Sequence, residues 1–211
     1  MGNKNKRIGV LGGTFDPVHF GHLHLAIALL ERRALSEVLF CPTAISPFKL
    51  DRPPAASLKQ RIEMLELSLK GLSFCSIWDG ELRYEGRGGP SFTIDALKEL
   101  QQERLDAQLY LLMGEDTLFG FERWKSAEEL VRIAPPLIGS RPCDGISLNH
   151  LPQQLRQIIA DGLTTIPMME ISSSDVRERL TRGQYCGHLI PFRALNYIRE
   201  QHLYGPNTLC F

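Results

Sequence analysis

The sequence predicts an α/β protein, a doubly wound parallel sheet with a C-terminal helical extension. Three observations carry that expectation. Apolar runs of strand length, such as Arg7 to Leu11, Glu37 to Pro42 and Gln108 to Gly114, alternate with segments of helical periodicity. A glycine-rich turn, Gly12 to Leu23, joins the first run to the first periodic segment. The clearest buried run ends in polar residues, Gly114-Glu115-Asp116-Thr117, and ligands sit at that edge of an open parallel sheet.

Each element has its own justification. Arg7 to Leu11 is short, apolar and bounded by glycine, and reads as the first strand. Leu23, Ile27, Leu30 and Ala34 share a helical face, and Glu37 to Pro42 reads as the second strand. The strand, helix, strand spacing predicts a right-handed crossover. Thr43 to Ala56 holds Pro47, Pro53 and Pro54 and reads as a loop, in the position where such folds carry binding lids. Ser57 with Gln60 forms a capping-box pattern that opens a helix to Lys70, with Ile62, Leu65 and Leu69 inward and Gly71 as its stop.

Phe74 to Trp78 reads as a third strand, and Asp79 to Pro90 as a polar connection. Ser91-Phe92-Thr93 opens a helix carrying Ile94, Leu97 and Leu100. After the strand 108–114 comes a short helical piece to Lys125. Ser126 to Glu129 is a second capping-box pattern, for a helix to Arg132. Pro135 to Arg141 reads as a strand whose later half alone joins the ladder, because two prolines lack N–H groups. Leu151 to Ala160 is a helix and Leu163 to Met169 a strand. Two helices close the chain, Ser174 to Arg182 and Phe192 to His202, the last using Leu195, Ile198 and Leu203. One domain over 7–170 with a continuous helical subdomain over 171–204 is expected.

Composition bounds the function. The chain has 211 residues, enough for a sizeable core. Lys plus Arg and Asp plus Glu both number 24, so the formal net charge is zero. That argues against nucleic acid or a membrane surface as a partner. Met1 to Arg7 is polar and basic and does not read as a signal peptide, and no apolar run has the length of a membrane span. Five scattered cysteines without a CxxC pair fit reduced thiols of a cytoplasmic protein. No internal repeat stands out.

Two constellations carry chemistry. In the first, Gly12 and Gly13 close the strand, where the missing Cβ permits unusual backbone angles and close approach by a ligand. Gly21 opens the helix, whose first N–H groups lack partners and favour an anion. His19 and His22, three apart, can face one ligand, and an imidazole beside phosphate can carry charge near neutral pH. A metal cluster of His19, His22 and His24 is the competing reading. It lacks a nearby Cys or Glu, and His24 points away from His22 on a helix. In the second constellation, Ile171-Ser172-Ser173-Ser174-Asp175-Val176-Arg177, the serines and Asp175 suit helix capping. Arg177, a cation expected in the first turn of the helix, opposes the dipole and suits a polyphosphate.

These residues carry a resemblance. GGTFDPVHFGHL resembles the first signature of the nucleotidyltransferase superfamily with the HxGH motif, and most resembles bacterial nicotinate-nucleotide adenylyltransferases. ISSSDVR resembles the second signature, with Ser174 in place of Thr and Val176 in place of Ile. Pro90-Ser91-Phe92-Thr93, the Gly114 to Trp124 block and Leu189-Ile190-Pro191 are also similar, so the resemblance spans nearly the whole chain. It departs at Ser46-Pro47-Phe48-Lys49, where the family has His in place of Phe48, and at Arg141-Pro142-Cys143, where the glycine comes later.

The resemblance implies a Rossmann-like fold and a reaction of ATP with nicotinate mononucleotide, giving deamido-NAD and pyrophosphate, with Mg2+ on the ATP phosphates. His19, His22 and Arg177 would be catalytic. Gly12, Gly13, Thr14, Phe15, Lys49, Asp116, Ser172, Ser173 and Ser174 would hold ATP and its phosphates, Asp116 through a ribose hydroxyl. Thr93, Trp124 and Arg141 would meet the pyridine nucleotide, Trp124 by stacking, and no metal ligand is expected from the protein. A homo-oligomer is compatible with all of this. Other transferases of the superfamily, for phosphopantetheine or cytidylyl groups, and a non-catalytic nucleotide-binding relative are the alternatives. No Walker, GxSxG or HExxH pattern is present, so positioning and charge stabilisation must carry the chemistry.

Overall fold

The structure is a computed structural model and describes residues 6–47, 52–84, 89–141, 148–167 and 169–205. Lys49 and Phe48 lie outside the described residues, as does the divergent segment around Cys143. Six strands form one sheet: β1 (Lys6–Gly13), β2 (Glu37–Pro42), β3 (Cys75–Ile77), β4 (Ala107–Gly114), β5 (Pro136–Ser140) and β6 (Leu163–Thr165). Their order is β3-β2-β1-β4-β5-β6. β1 pairs with β4, β4 with β5 and β5 with β6, all parallel, with Val10 opposite Leu111 and Met113 opposite Ile138. The order reverses at β1, so the doubly wound Rossmann-like expectation holds, and β1 feeds the glycine-rich turn at the switch point where such sheets take ligands.

The helices are α1 (Phe20–Arg32), α2 (Leu58–Leu69), α3 (Thr93–Glu103), α4 (Ala127–Ile133), α5 (Gln153–Gly162), α6 (Ser173–Thr181) and α7 (Phe192–Glu200). Short 3-10 turns cover Gly80–Tyr84, Glu115–Leu118 and Phe121–Arg123. None of the described helices is long and apolar enough to cross a membrane. By compactness the chain divides into two units. One holds Met1–Gly12, Leu25–Phe40 and Phe92–Met168, and the other Gly13–His24, Cys41–Ser91 and Met169–Phe211.

The first unit buries Ile8, Val10, Leu109, Leu111, Leu137 and Ile138 from its strands, with Ala26, Leu29, Leu97, Leu130 and Ile159 from its helices. In the second unit α2 carries the capping box foreseen at Ser57: the hydroxyl accepts from Gln60 N–H at 3.2 Å and Gln60 Oε1 accepts from Ser57 N–H at 2.9 Å. α7 packs on α2 and buries Ala194, Leu195 and Ile198.

Four expectations are corrected. The buried stripe of α1 is Leu23, Ala26 and Leu29, with Ile27 and Leu30 only half-buried. Ala34 lies beyond the helix and is exposed, because the chain turns left-handed there (φ 48°) while Leu35 N–H bonds back to the Leu30 carbonyl. Ser126 makes no capping box: its φ is 55°, and Ala127 N–H is satisfied instead by the Trp124 carbonyl. The prolines do not keep β5 out of the ladder. Pro135 accepts from Leu111 N–H at 3.2 Å and Pro136 is in register with Leu111, since proline lacks only the donor. Finally, β6 stops at Thr165, well short of Met169.

Candidate active site

The second unit holds the first signature from Gly13 onward and the whole of the second. β1 ends at Gly13, and the turn after it takes its left-handed residue not at a glycine but at Phe15, φ 50°. Neither Gly12 nor Gly13 has positive φ, so their role is room: a Cβ at Gly12 would have nothing within 4 Å, and one at Gly13 would press on the Phe15 ring at 3.0 Å. Phe15 is buried, and its ring meets that of His22 edge-on, centroids 4.9 Å apart.

The two histidines are stacked, ring centroids 3.7 Å apart and 24° between planes. His22 Nδ1 accepts the His19 main-chain N–H at 3.3 Å. An accepting Nδ1 carries no proton, so His22 is the neutral tautomer with its N–H on Nε2. His19 is 4% exposed, and burial lowers its pKa to about 4, so it too is neutral at pH 7. The charge expected of these imidazoles near neutral pH is therefore absent from His19, because desolvation penalises the charged ring. Its Nδ1 is buried and without a hydrogen-bond partner. Such an orphaned polar atom is costly and calls for a ligand atom. Gly21 makes the stack possible: a Cβ there would stand 3.0 Å from His19 Nδ1 and 3.4 Å from the Met169 carbonyl.

The second constellation is fastened to the first. Ser172 caps α6, accepting from Asp175 N–H at 3.1 Å and donating to Asp175 Oδ2 at 2.7 Å. Ser173 Oγ donates to the Pro17 carbonyl at 2.9 Å. Arg177 Nη1 donates to the Asp16 carbonyl and lies 3.7 Å from Asp16 Oδ2, while Nη2 donates to Ser174 Oγ at 3.3 Å. Because α6 starts at Ser173, Arg177 is its fifth residue, past the first turn where the dipole argument applies. Side-chain bonding, not the dipole, sets its direction. Leu189 of the Leu-Ile-Pro block accepts from Phe20 N–H at 2.9 Å and fixes the start of α1.

Three residues, Asp16, Tyr204 and Arg61, were not assigned roles from sequence. Asp16 is 3% exposed and accepts from Ala55 N–H, Ala56 N–H and the Tyr204 hydroxyl, at 2.8, 3.1 and 2.7 Å. Its signal was an acid between the apolar residues Phe15 and Pro17. Tyr204, beyond the last helix, gave none. Arg61, also unforeseen, is 1% exposed on α2 and donates to the carbonyls of Thr14, Thr43, Ala44 and Ala56.

The first unit carries the other candidates. Thr93 is the first residue of α3, half-buried, after Phe92, which caps without a side-chain bond. Lys125 Nζ lies 4.3 Å from the Phe92 ring centroid and 2.9 Å from Asp95. Trp124 is half-buried, its ring 5.3 Å from that of Phe121. Asp116 is exposed and does not cap the turn after Gly114; its carboxylate lies where a Cβ on Gly114 would be, 2.6 Å away. Arg141 is exposed, and its N–H donates to Glu115 Oε2 at 3.1 Å, which links the ends of β4 and β5.

Among the described residues no group of three or more His, Cys, Asp or Glu could hold a metal ion. The groups brought together suit an anion instead: imidazole nitrogens, serine hydroxyls and a guanidinium.

Comparison with known proteins gives a consistent picture. Residues 10–179 match the cytidylyltransferase-like family. A probable nicotinate-nucleotide adenylyltransferase of Dehalococcoides mccartyi is 37% identical, over 94% of this chain and 97% of the relative. Another from Methylacidiphilum infernorum is 33% identical, over 95% and 93%. The nicotinic acid mononucleotide adenylyltransferase of Plasmodium falciparum, in a complex with APC, superposes with a TM-score of 0.72 at 20% identity, over 95% of this chain and 98% of that one. Its complex with NaAD gives 0.70 at 22% identity, over the same shares of the two chains.

Proposed function

Because this chain belongs to the cytidylyltransferase-like family, and within it to the nicotinate-nucleotide adenylyltransferases, we propose how its residues join nicotinate mononucleotide and ATP to give deamido-NAD and pyrophosphate. The mononucleotide's 5′-phosphate is already a nucleophile at neutral pH. One of its oxygens forms a bond to the α-phosphorus of ATP, the bond to the bridging α–β oxygen breaks, and pyrophosphate leaves with that electron pair. The protein has to position the two phosphates in line and stabilise the charge.

The observation that carries this reading is the fastening of Arg177 and Ser173 to the Asp16-Pro17 turn, next to two neutral, stacked histidines. His22 donates its Nε2–H to an α-phosphate oxygen, and the orphaned His19 Nδ1 meets a second phosphate oxygen. Arg177, with Ser174, holds the departing pyrophosphate. Gly12, Gly13 and Thr14 contribute backbone near the phosphates, Phe15 braces His22, and Asp116 accepts from a ribose hydroxyl. Lys49 is the lid cation. Trp124 stacks on the pyridine ring, the α3 start at Thr93 receives its carboxylate, and Arg141 adds charge.

Magnesium fits this donor set as a companion of ATP. It keeps several waters and binds through substrate phosphates with one or two carboxylates at most, so no cage is required of the protein. When bound it neutralises phosphate charge.

The test is an acceptor panel with pyrophosphate release as readout. Helix N–H donors bond a carboxylate more strongly than an amide, and an amide N–H₂ facing them would go unpaired, a cost of roughly 1–3 kcal/mol. Nicotinate mononucleotide should therefore exceed nicotinamide mononucleotide by at least about tenfold in kcat/KM. Phosphopantetheine as acceptor should give no turnover. Equal use of the two mononucleotides would remove the acid-specific role of Thr93, and turnover of phosphopantetheine alone would remove the acceptor assignment.

A further inference from the structure

Arg177 must hold its guanidinium where the departing pyrophosphate forms, and something must hold Arg177. Its Nη1 is bonded to the carbonyl of Asp16 and lies 3.7 Å from the carboxylate of the same residue. That carboxylate is buried, and its oxygens already accept two loop N–H groups, from Ala55 and Ala56. A third donor comes from 188 residues further on: Tyr204 Oη to Asp16 Oδ1, 2.7 Å.

Tyr204 follows α7 in a left-handed conformation, φ 65°, which a non-glycine residue adopts only under constraint. Its carbonyl accepts from Thr181 Oγ at 2.9 Å, and Thr181 Oγ also lies 2.9 Å from the Arg177 carbonyl. Tyr204 is thus tied to α6 through its carbonyl and to the first signature through its hydroxyl. Burial, and then the Asp16 carboxylate, raise the Tyr204 phenol's pKa, so it stays a donor at neutral pH.

We propose that Asp16 and Tyr204 are positioning residues for Arg177: the tyrosine hydroxyl fixes the Asp16 carboxylate, and Asp16 fixes the guanidinium for pyrophosphate departure. Tyr204 is then part of the transfer machinery. This rests on the role given to Arg177 above. Loss of the hydroxyl leaves Arg177 in place but free to rotate, so the chemical step suffers and acceptor binding does not.

The experiment is a double-mutant cycle of Tyr204→Phe with Arg177→Ala, reading kcat, KM for nicotinate mononucleotide and melting temperature. Tyr204→Phe should lower kcat about tenfold, the size expected for losing a hydrogen bond to a charged group, with KM unchanged. In the Arg177→Ala background it should cost nothing more. Thr181→Val, which loosens the Tyr204 carbonyl, should give the same pattern at smaller size and carries the test if Tyr204→Phe fails to fold. Equal losses in both backgrounds, or no loss in either, would overturn the proposal while leaving adenylyl transfer intact. Wild-type turnover in Arg177→Ala alone would overturn the pyrophosphate role itself.

Discussion

His19 and His22 do different work from within one stack. His22 presents a neutral Nε2–H because its other nitrogen is spent on the His19 backbone. Removing such a donor costs about 10²–10³ in rate, so His22→Ala should lower kcat by that factor with little change in melting temperature. Near-wild-type turnover would refute the role. His19 is readable through pH. Its pKa is lowered from 6.5 to about 4, so between those values the unfolded chain binds a proton that the folded one does not. Stability is therefore complete above about pH 6.5 and declines as pH falls towards 4, by about 3 kcal/mol from this group. His19→Gln should flatten that limb relative to wild type, measured by melting temperature without substrates; parallel curves would contradict the burial argument. Spacing alone placed both rings at one site. It could not show their stacking or the burial of His19, which involve contacts with Phe15 and Gly21 that arise only on folding.

Among the elements, α2 and α3 were readable, whereas the end of α1 and the start of α4 were not. α2 and α3 show their period plainly, and their buried residues, Ile62, Leu65, Ile94 and Leu97, are those the periodicity selects. Ser126 looked like a cap by residue type, but its backbone angle is set by the preceding turn, which no composition rule reveals. Arg61 breaks the amphipathic rule on α2: a charge stands on the buried face because four carbonyls there need a donor. Arg61→Met should then destabilise the protein by about 3 kcal/mol or more in denaturant unfolding, as buried acceptors lose their partner. A loss under about 0.5 kcal/mol, as at an ordinary surface site, would refute that account. At the opening of α1, Gly21→Ala favours the helix by propensity and yet forces the His19 ring aside. It should cost activity with melting temperature held or raised; full activity would show that the ring has room to move.

At the scale of the whole molecule, the sheet order 3-2-1-4-5-6 was foreseen only as a class, because strand order is decided by pairings between distant segments. The same holds for the fastening of residues 173–177 to residues 16 and 17, more than 150 positions apart, which the two signatures implied by resemblance and not by spacing. Asp16 and Tyr204 went unassigned for that reason. In the proposed reaction the mononucleotide's own phosphate attacks the α-phosphorus of ATP. Nicotinate mononucleotide labelled with heavy oxygen in its 5′-phosphate tests that claim most directly, with mass spectrometry of both products after turnover with ATP and magnesium. The prediction is that deamido-NAD carries all of the label and pyrophosphate none. Label in the pyrophosphate, or cleavage of ATP with no labelled dinucleotide, would contradict it.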